Sequence, residues 1–182
     1  MSQQVKSFLR KSLWVVLTIF VVRCYFGVTV NTPFYYLGAA GQAVTVAIII
    51  MGIYERYLWR IAPFEKIPRL QKSYNGIINY NFNGNQGEKL IKVLINQTLL
   101  TTSVKIVTDE ITSNSISSRF IYENGEYILY YVYITNPKSK FSRENPIQYG
   151  TTRLALTDNL NLVGIYWTTS KTIGDIQLTC SE

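Results

Sequence analysis

The side chains able to do chemistry in this chain are arginines, hydroxyls and phenols, and the usual catalytic pairings are missing. None of the 182 residues is a histidine, which removes the commonest acid–base catalyst and metal ligand. Asp109 and Glu110 are adjacent, so on a strand they point to opposite faces and cannot act as one carboxylate pair. Cys24 and Cys180 lie far apart, one within an apolar run and one near the end. No disulfide framework or metal knuckle follows, and free thiols in a reducing compartment are expected. No GxSxG elbow, P-loop, GxGxxG fingerprint or HExxH pair occurs. These absences argue against an enzyme, a metal site or a cofactor.

What remains is a set of polar positions in alternating segments. Ser115, Ser117 and Arg119 recur at every second residue, opposite Ile116, Ser118, Phe120 and Tyr122. In later segments Thr151 and Arg153 oppose Leu154 and Leu156, and Tyr166 and Thr168 oppose Ile165 and Trp167. Either these polar faces point outward over an ordinary apolar core, or some point into a polar, aromatic-lined cavity. Alternation alone favours the first, because most alternating strands are half-exposed.

The elements that carry these residues are strands. From Tyr74 onward the pattern is period-two alternation punctuated by Asn, Gly and Pro, which predicts eight strands. They are Tyr74–Phe82, Glu88–Gln97, Thr101–Asp109, Ser115–Glu123, Glu126–Thr135, Tyr149–Thr157, Leu160–Thr169 and Thr172–Cys180. Punctuation is clear at Asn83-Gly84-Asn85-Gln86-Gly87, Glu123-Asn124-Gly125, Thr157-Asp158-Asn159 and Ser170-Lys171. Short links favour an up-and-down antiparallel meander, and only Asn136 to Gln148 is long enough to be a flap. Closing eight strands into a barrel removes the exposed edges. Such a barrel is just wide enough to be filled by side chains or to hold one small ligand.

The first part of the chain is different. Up to Lys72 nine basic residues face two acidic ones, whereas from Ser73 onward nine face nine, so the whole net charge of +7 belongs to the apolar end. Such a distribution reflects membrane topology and anionic headgroups, and argues against DNA or RNA binding by the folded domain. Leu13 to Val30 and Phe34 to Tyr54, joined by a turn at Asn31-Thr32-Pro33, each approach the roughly twenty residues needed to cross a hydrocarbon core. A signal peptide followed by one anchor is the competing reading, but no small-residue cleavage site follows the first run. Basic residues flank both runs and none lies in the turn, which places both termini in the cytoplasm. The expected organisation is a two-helix transmembrane region over residues 1–60, a linker over 61–72 and a cytoplasmic β-barrel over 73–182. Arg23 inside the first span either snorkels to the outer headgroups or meets a partner. Ala39, Ala43 and Ala47 form a small-residue stripe suited to close helix packing, within one chain or between chains.

In its order of parts the chain resembles one family, the bacterial two-transmembrane, β-strand-rich effectors associated with CD-NTases, the fifteenth such protein, in CBASS antiphage systems. The resemblance is carried by Tyr74-Asn75-Gly76-Ile77, Ile95-Asn96-Gln97-Thr98, Thr112 to Ser118, Leu129 to Pro137, Tyr149-Gly150-Thr151 and Leu162 to Thr168. Members often carry Trp before the first of these glycines and His before Tyr-Gly-Thr, where this chain has Tyr74-Asn75 and Gln148. The resemblance implies that the barrel binds a cyclic dinucleotide made by a CD-NTase. It also implies that the effector then forms a homo-oligomer and that its helices breach the inner membrane, killing the infected cell. For a ligand with two phosphates and two bases, arginines, hydroxyls and aromatic faces are suitable partners. Thr108, Ser115, Ser117, Arg119, Tyr131, Arg153, Tyr166 and Thr168 are then the expected contacts, with Arg23, Ala39, Ala43 and Ala47 serving membrane insertion and oligomerisation. A membrane-tethered lipocalin-like carrier and a structural or assembly barrel are the alternatives.

Overall fold

Residues 3–27, 32–143, 145–157 and 160–180 are described by a computed structural model. The end of the first expected span, Asn31 of its turn and the Asp158-Asn159 turn lie outside them. The chain divides into two units, residues 1–67 with 98–100, and residues 68–97 with 101–182.

The first unit holds two helices of 24 residues, α1 (Gln3–Phe26) and α2 (Pro33–Arg56). Pro33 sits where a missing N–H costs nothing, after Thr32 in extended conformation. Ala39, Ala43, Ala47 and Met51 recur every fourth residue and form the buried stripe of α2, packed against α1. The small residues are therefore occupied by packing within one chain, where they let the two backbones approach. Arg23 Nε donates to Gln42 Oε1 at 3.0 Å, so the charge on α1 has a polar partner on α2. Among the described residues only α2 is by itself long and apolar enough to cross a membrane. Four basic residues, Lys6, Arg10, Lys11 and Arg23, shorten the apolar run of α1 below that length. After α2 the chain is held rather than loose: Trp59 is fully buried, and Glu65 accepts both Lys11 Nζ and the Tyr54 hydroxyl.

The second unit is a closed barrel of eight antiparallel strands in sequence order. The strands are β1 (Ser73–Phe82), β2 (Asn85–Gln97), β3 (Thr102–Val107), β4 (Ile111–Glu123), β5 (Glu126–Pro137), β6 (Gln148–Leu156), β7 (Leu162–Thr168) and β8 (Ile173–Cys180). Closure comes from β1 and β8, paired from Tyr74↔Cys180 to Asn81↔Ile173. The β1–β2 link is shorter than the expected five residues. Asn83 and Gly84 both have positive φ, 50° and 86°, so the pair makes a two-residue primed turn and β2 starts at Asn85. Asn124 and Gly125 repeat this between β4 and β5, at 50° and 91°.

β4 begins four residues before the expected Ser115, at Ile111. Its first residues, Thr112-Ser113-Asn114, are polar and carry no alternation, and what starts the strand is a turn. Thr108 Oγ1 accepts from Ile111 N at 2.9 Å while Thr108 N donates to Ile111 O at 2.9 Å. β4 also carries a bulge, the register against β5 slipping between Ser115 and Ser117. Backbone pairing of β3 with β4 covers only Lys105 to Val107. Beside the bulge two serine hydroxyls replace the missing ladder: Ser115 Oγ accepts from Val104 N at 2.9 Å, and Ser118 Oγ donates to Thr102 O.

Gly164 on β7 marks the closest approach of two strands, since a Cβ there would stand 1.8 Å from the Arg153 carbonyl oxygen on β6. Gly164→Ala is expected to force the strands apart at an overpacking cost of about 1–3 kcal/mol. Thermal unfolding of the protein in detergent, followed by tryptophan fluorescence, should show a midpoint several degrees lower; an unchanged midpoint would refute the close approach.

Candidate functional site

One end of the barrel is filled and the other is hollow. Tyr74, Val93, Ile95, Val104, Leu129, Leu154, Leu162 and Leu178 are buried together as an apolar plug. Leu70 caps it, held by Gln97, whose Oε1 accepts from Leu70 N at 2.9 Å and whose Nε2 donates to Pro68 O at 2.8 Å. At the opposite end, where β1, β3, β5 and β7 finish, a cavity of ≈ 340 Å³ opens. That volume falls within the range of small-molecule pockets. Both readings of the alternating strands thus hold in one barrel, at different heights.

The walls of the cavity depend on three cross-strand pairs of tyrosine with glycine. Tyr80 faces Gly87, Tyr133 faces Gly150 and Tyr166 faces Gly174. In each case a Cβ on the glycine would collide with the tyrosine ring, at 2.4, 2.3 and 2.6 Å. The missing side chain lets each ring fold over its neighbouring strand and line the lumen. All three tyrosines border the cavity. Burial raises the phenol of Tyr166 to about 12 and pushes that of Tyr133 higher still, so both remain protonated donors at physiological pH.

Polar groups sit among these rings. Thr135 and Gln148 are locked to each other, Thr135 Oγ1 donating to Gln148 O and accepting from Gln148 N, both at 3.1 Å. Gln148 Oε1 and Thr152 Oγ1 both line the cavity, buried and without a hydrogen-bond partner. Thr152 itself is completely buried. Its cross-strand neighbour Tyr131 is also buried, and burial raises that phenol to about 12, with Thr152 offsetting a part. The two hydroxyls influence each other, but neither meets a partner at hydrogen-bond geometry. Buried polar atoms left unpaired cost stability, so native proteins keep few of them, and each calls for an explanation such as a bound ligand or water. The cation of this wall is Lys89, whose Nζ lies 2.5 Å from Glu110 Oε2 and 5.8 Å from the Tyr80 ring.

The structure sorts the residues expected from sequence. Thr108, Tyr166 and Thr168 line the cavity together, and Tyr131 lies buried beside Thr152. The Ser115, Ser117 and Arg119 face does not exist as a unit. The bulge turns Ser117 and Arg119 outward, opposite Val132 and Tyr130, and both are exposed. The Ser115 hydroxyl is engaged by the β3 backbone. Arg153 is likewise on the outer wall, where its Nε donates to Tyr130 Oη at 3.1 Å. Sequence reasoning missed Lys89, Tyr80, Tyr133, Gln148 and Thr152. The glycines at 87, 150 and 174 were the available signal, but their meaning depends on which tyrosine each one faces.

The comparisons with known proteins bear on this same barrel. Residues 65–180 match the family model described as Cap15, cyclic dinucleotide receptor domain. CD-NTase-associated protein 15 from Staphylococcus schleiferi is 44% identical over 138 residues, covering 74% of this chain and 75% of that protein. The matched segment contains every strand of the barrel and every residue that lines its cavity. The chain belongs to the Cap15 family, and its hollow barrel corresponds to that family's cyclic dinucleotide receptor domain.

Proposed function

We propose that this protein is a membrane-anchored CBASS effector, a receptor rather than a catalyst, whose barrel takes up a cyclic dinucleotide made by a CD-NTase. The observation that carries this reading is the pair of buried, unpartnered acceptors, Thr152 Oγ1 and Gln148 Oε1, inside a tyrosine-walled cavity. A base edge supplies the donors they lack, and the phenol rings supply faces for the bases. Thr108, Tyr166 and Thr168 are the further contacts proposed. A lipocalin-like carrier fits less well, because an apolar ligand would leave both acceptors unpaired. A purely structural barrel has no use for the cavity.

In this reading both helices enter the inner membrane with the termini in the cytoplasm. Leu13, Trp14, Val21, Phe34, Leu37, Ile48 and Ile49 are exposed apolar side chains on α1 and α2, suited to lipid or to a second copy of the hairpin. Hairpin pairing through Arg23 and Gln42 supports insertion of α1 despite its charge. Ligand binding then drives oligomerisation and the breach of the membrane. The face that meets other copies is one of these outer surfaces, since the alanine stripe is already covered by α1.

Thr152→Val removes the unpaired hydroxyl and keeps the shape. It should leave the free protein at least as stable, since an apolar isostere at an unsatisfied site is neutral or favourable. It should also weaken calorimetric binding of cyclic dinucleotides by about tenfold, a loss of about 1.4 kcal/mol. Reduced stability with unchanged affinity would count against the site.

In cells expressing an active CD-NTase, the full chain should admit propidium iodide, whereas a chain beginning at Pro68, which keeps the Leu70 cap of the barrel, should not. Leakage of equal extent from both would remove the helices from the mechanism.

A further inference from the structure

We propose that Glu110 is a built-in competitor for the ligand's phosphate, holding the cation of the cavity wall until an anionic oxygen takes it. This rests on the functional reading above and adds a control over the concentration at which the ligand binds. Lys89 lies on the inner face of β2, two residues before buried Ile91 and four before buried Val93. Among the described residues it is the only charged one bordering the cavity. Glu110 Oε2 stands 2.5 Å from its Nζ, taking one of the three ammonium donors and offsetting its charge.

The carboxylate is positioned with care by its surroundings. Glu110 N donates to Thr108 Oγ1 at 3.2 Å, which fixes the β3–β4 turn. Glu110 O accepts from Lys138 N at 2.9 Å, and Lys138 Nζ donates to Asp109 O at 2.6 Å. Asn145 Nδ2 donates to the same Oε2 at 3.3 Å, tying the far end of the β5–β6 loop to this oxygen. A carboxylate oxygen and a phosphate oxygen offer an ammonium group the same interaction. With side chains 35% and 29% exposed, the Lys89–Glu110 pair is weak enough to exchange. A phosphate oxygen of an entering cyclic dinucleotide therefore competes with Glu110 for Lys89, whereas a neutral ligand does not. Glu110 thus raises the concentration at which phosphate-bearing ligands bind.

The test is calorimetric titration of the full-length protein in detergent with cyclic di-AMP, cyclic di-GMP and 3′,3′-cyclic GMP–AMP. Wild type, Glu110→Gln, Glu110→Asp, Lys89→Met and the double variant Lys89→Met/Glu110→Gln are compared. Glutamine can still accept from Asn145 but does not hold the ammonium by charge. Aspartate keeps the charge but is too short to reach it. Both Glu110 variants should bind about two- to fivefold more tightly, on the scale of one partly exposed ion pair. Lys89→Met should bind about tenfold more weakly, and the gain from Glu110→Gln should disappear in the double variant. Equal or weaker binding by the two Glu110 variants would overturn the competition. So would a gain with glutamine alone, which would assign the effect to net charge, or a gain that persists without Lys89. If the wild type binds and Glu110 is without effect, only this inference falls; absence of binding by every protein to every probe would overturn the functional reading itself.

Discussion

Everything the second unit can do depends on the pairing of β1 with β8, which closes the sheet over eight residue pairs. An open sheet of this length would expose two unpaired edges and bury one face at most. Closure satisfies every strand on both sides and creates an interior. With eight strands that interior is narrow enough to fill, so a hollow within it has to be built. Here it is built by subtraction, through glycines placed opposite tyrosines. Where Gly87, Gly150 and Gly174 omit a side chain, a ring lies across the neighbouring strand, and the space at the barrel axis is left open.

The two halves of the lumen divide stability from recognition. The apolar plug between Tyr74 and Leu178 supplies the burial that holds the barrel together. The open half carries what a stable core would avoid: Thr152 Oγ1, Gln148 Oε1 and Tyr131 Oη buried and unpaired. Local violations of good packing practice concentrate where function requires them. The plug lets the barrel tolerate them, because the same eight strands are well packed a few residues away.

Charge follows the same division. The barrel is neutral in sum, and Lys89, the one charged side chain bordering its cavity among the described residues, is paired with Glu110. The basic excess lies in the helical end. In the proposed reading a doubly charged ligand meets hydroxyls, amides, ring faces and Lys89 rather than an arginine clamp. Arg119 and Arg153, the residues whose chemistry looked most suitable, are on the outer wall, with Arg153 engaged by Tyr130.

The sequence by itself determined the number and order of the strands and their antiparallel meander. Those features are written in local patterns: apolar runs, period-two alternation, and Asn-Gly turns whose positive φ values few other residues accept. It determined less about the helices, because Arg23 and three further basic residues interrupt α1, and only packing shows that Gln42 receives the arginine. What tertiary structure alone decided is which residues face the lumen. Alternation assigns faces correctly only while the count stays in step, and one extra residue at Ile116 puts Ser117 and Arg119 outside. Nor can a glycine in a strand announce its purpose: Gly150 is a weak point in β6 until Tyr133 is known to lie across it. Register between strands is a long-range property, set by closure of the whole barrel, and the cavity exists only once that register is fixed.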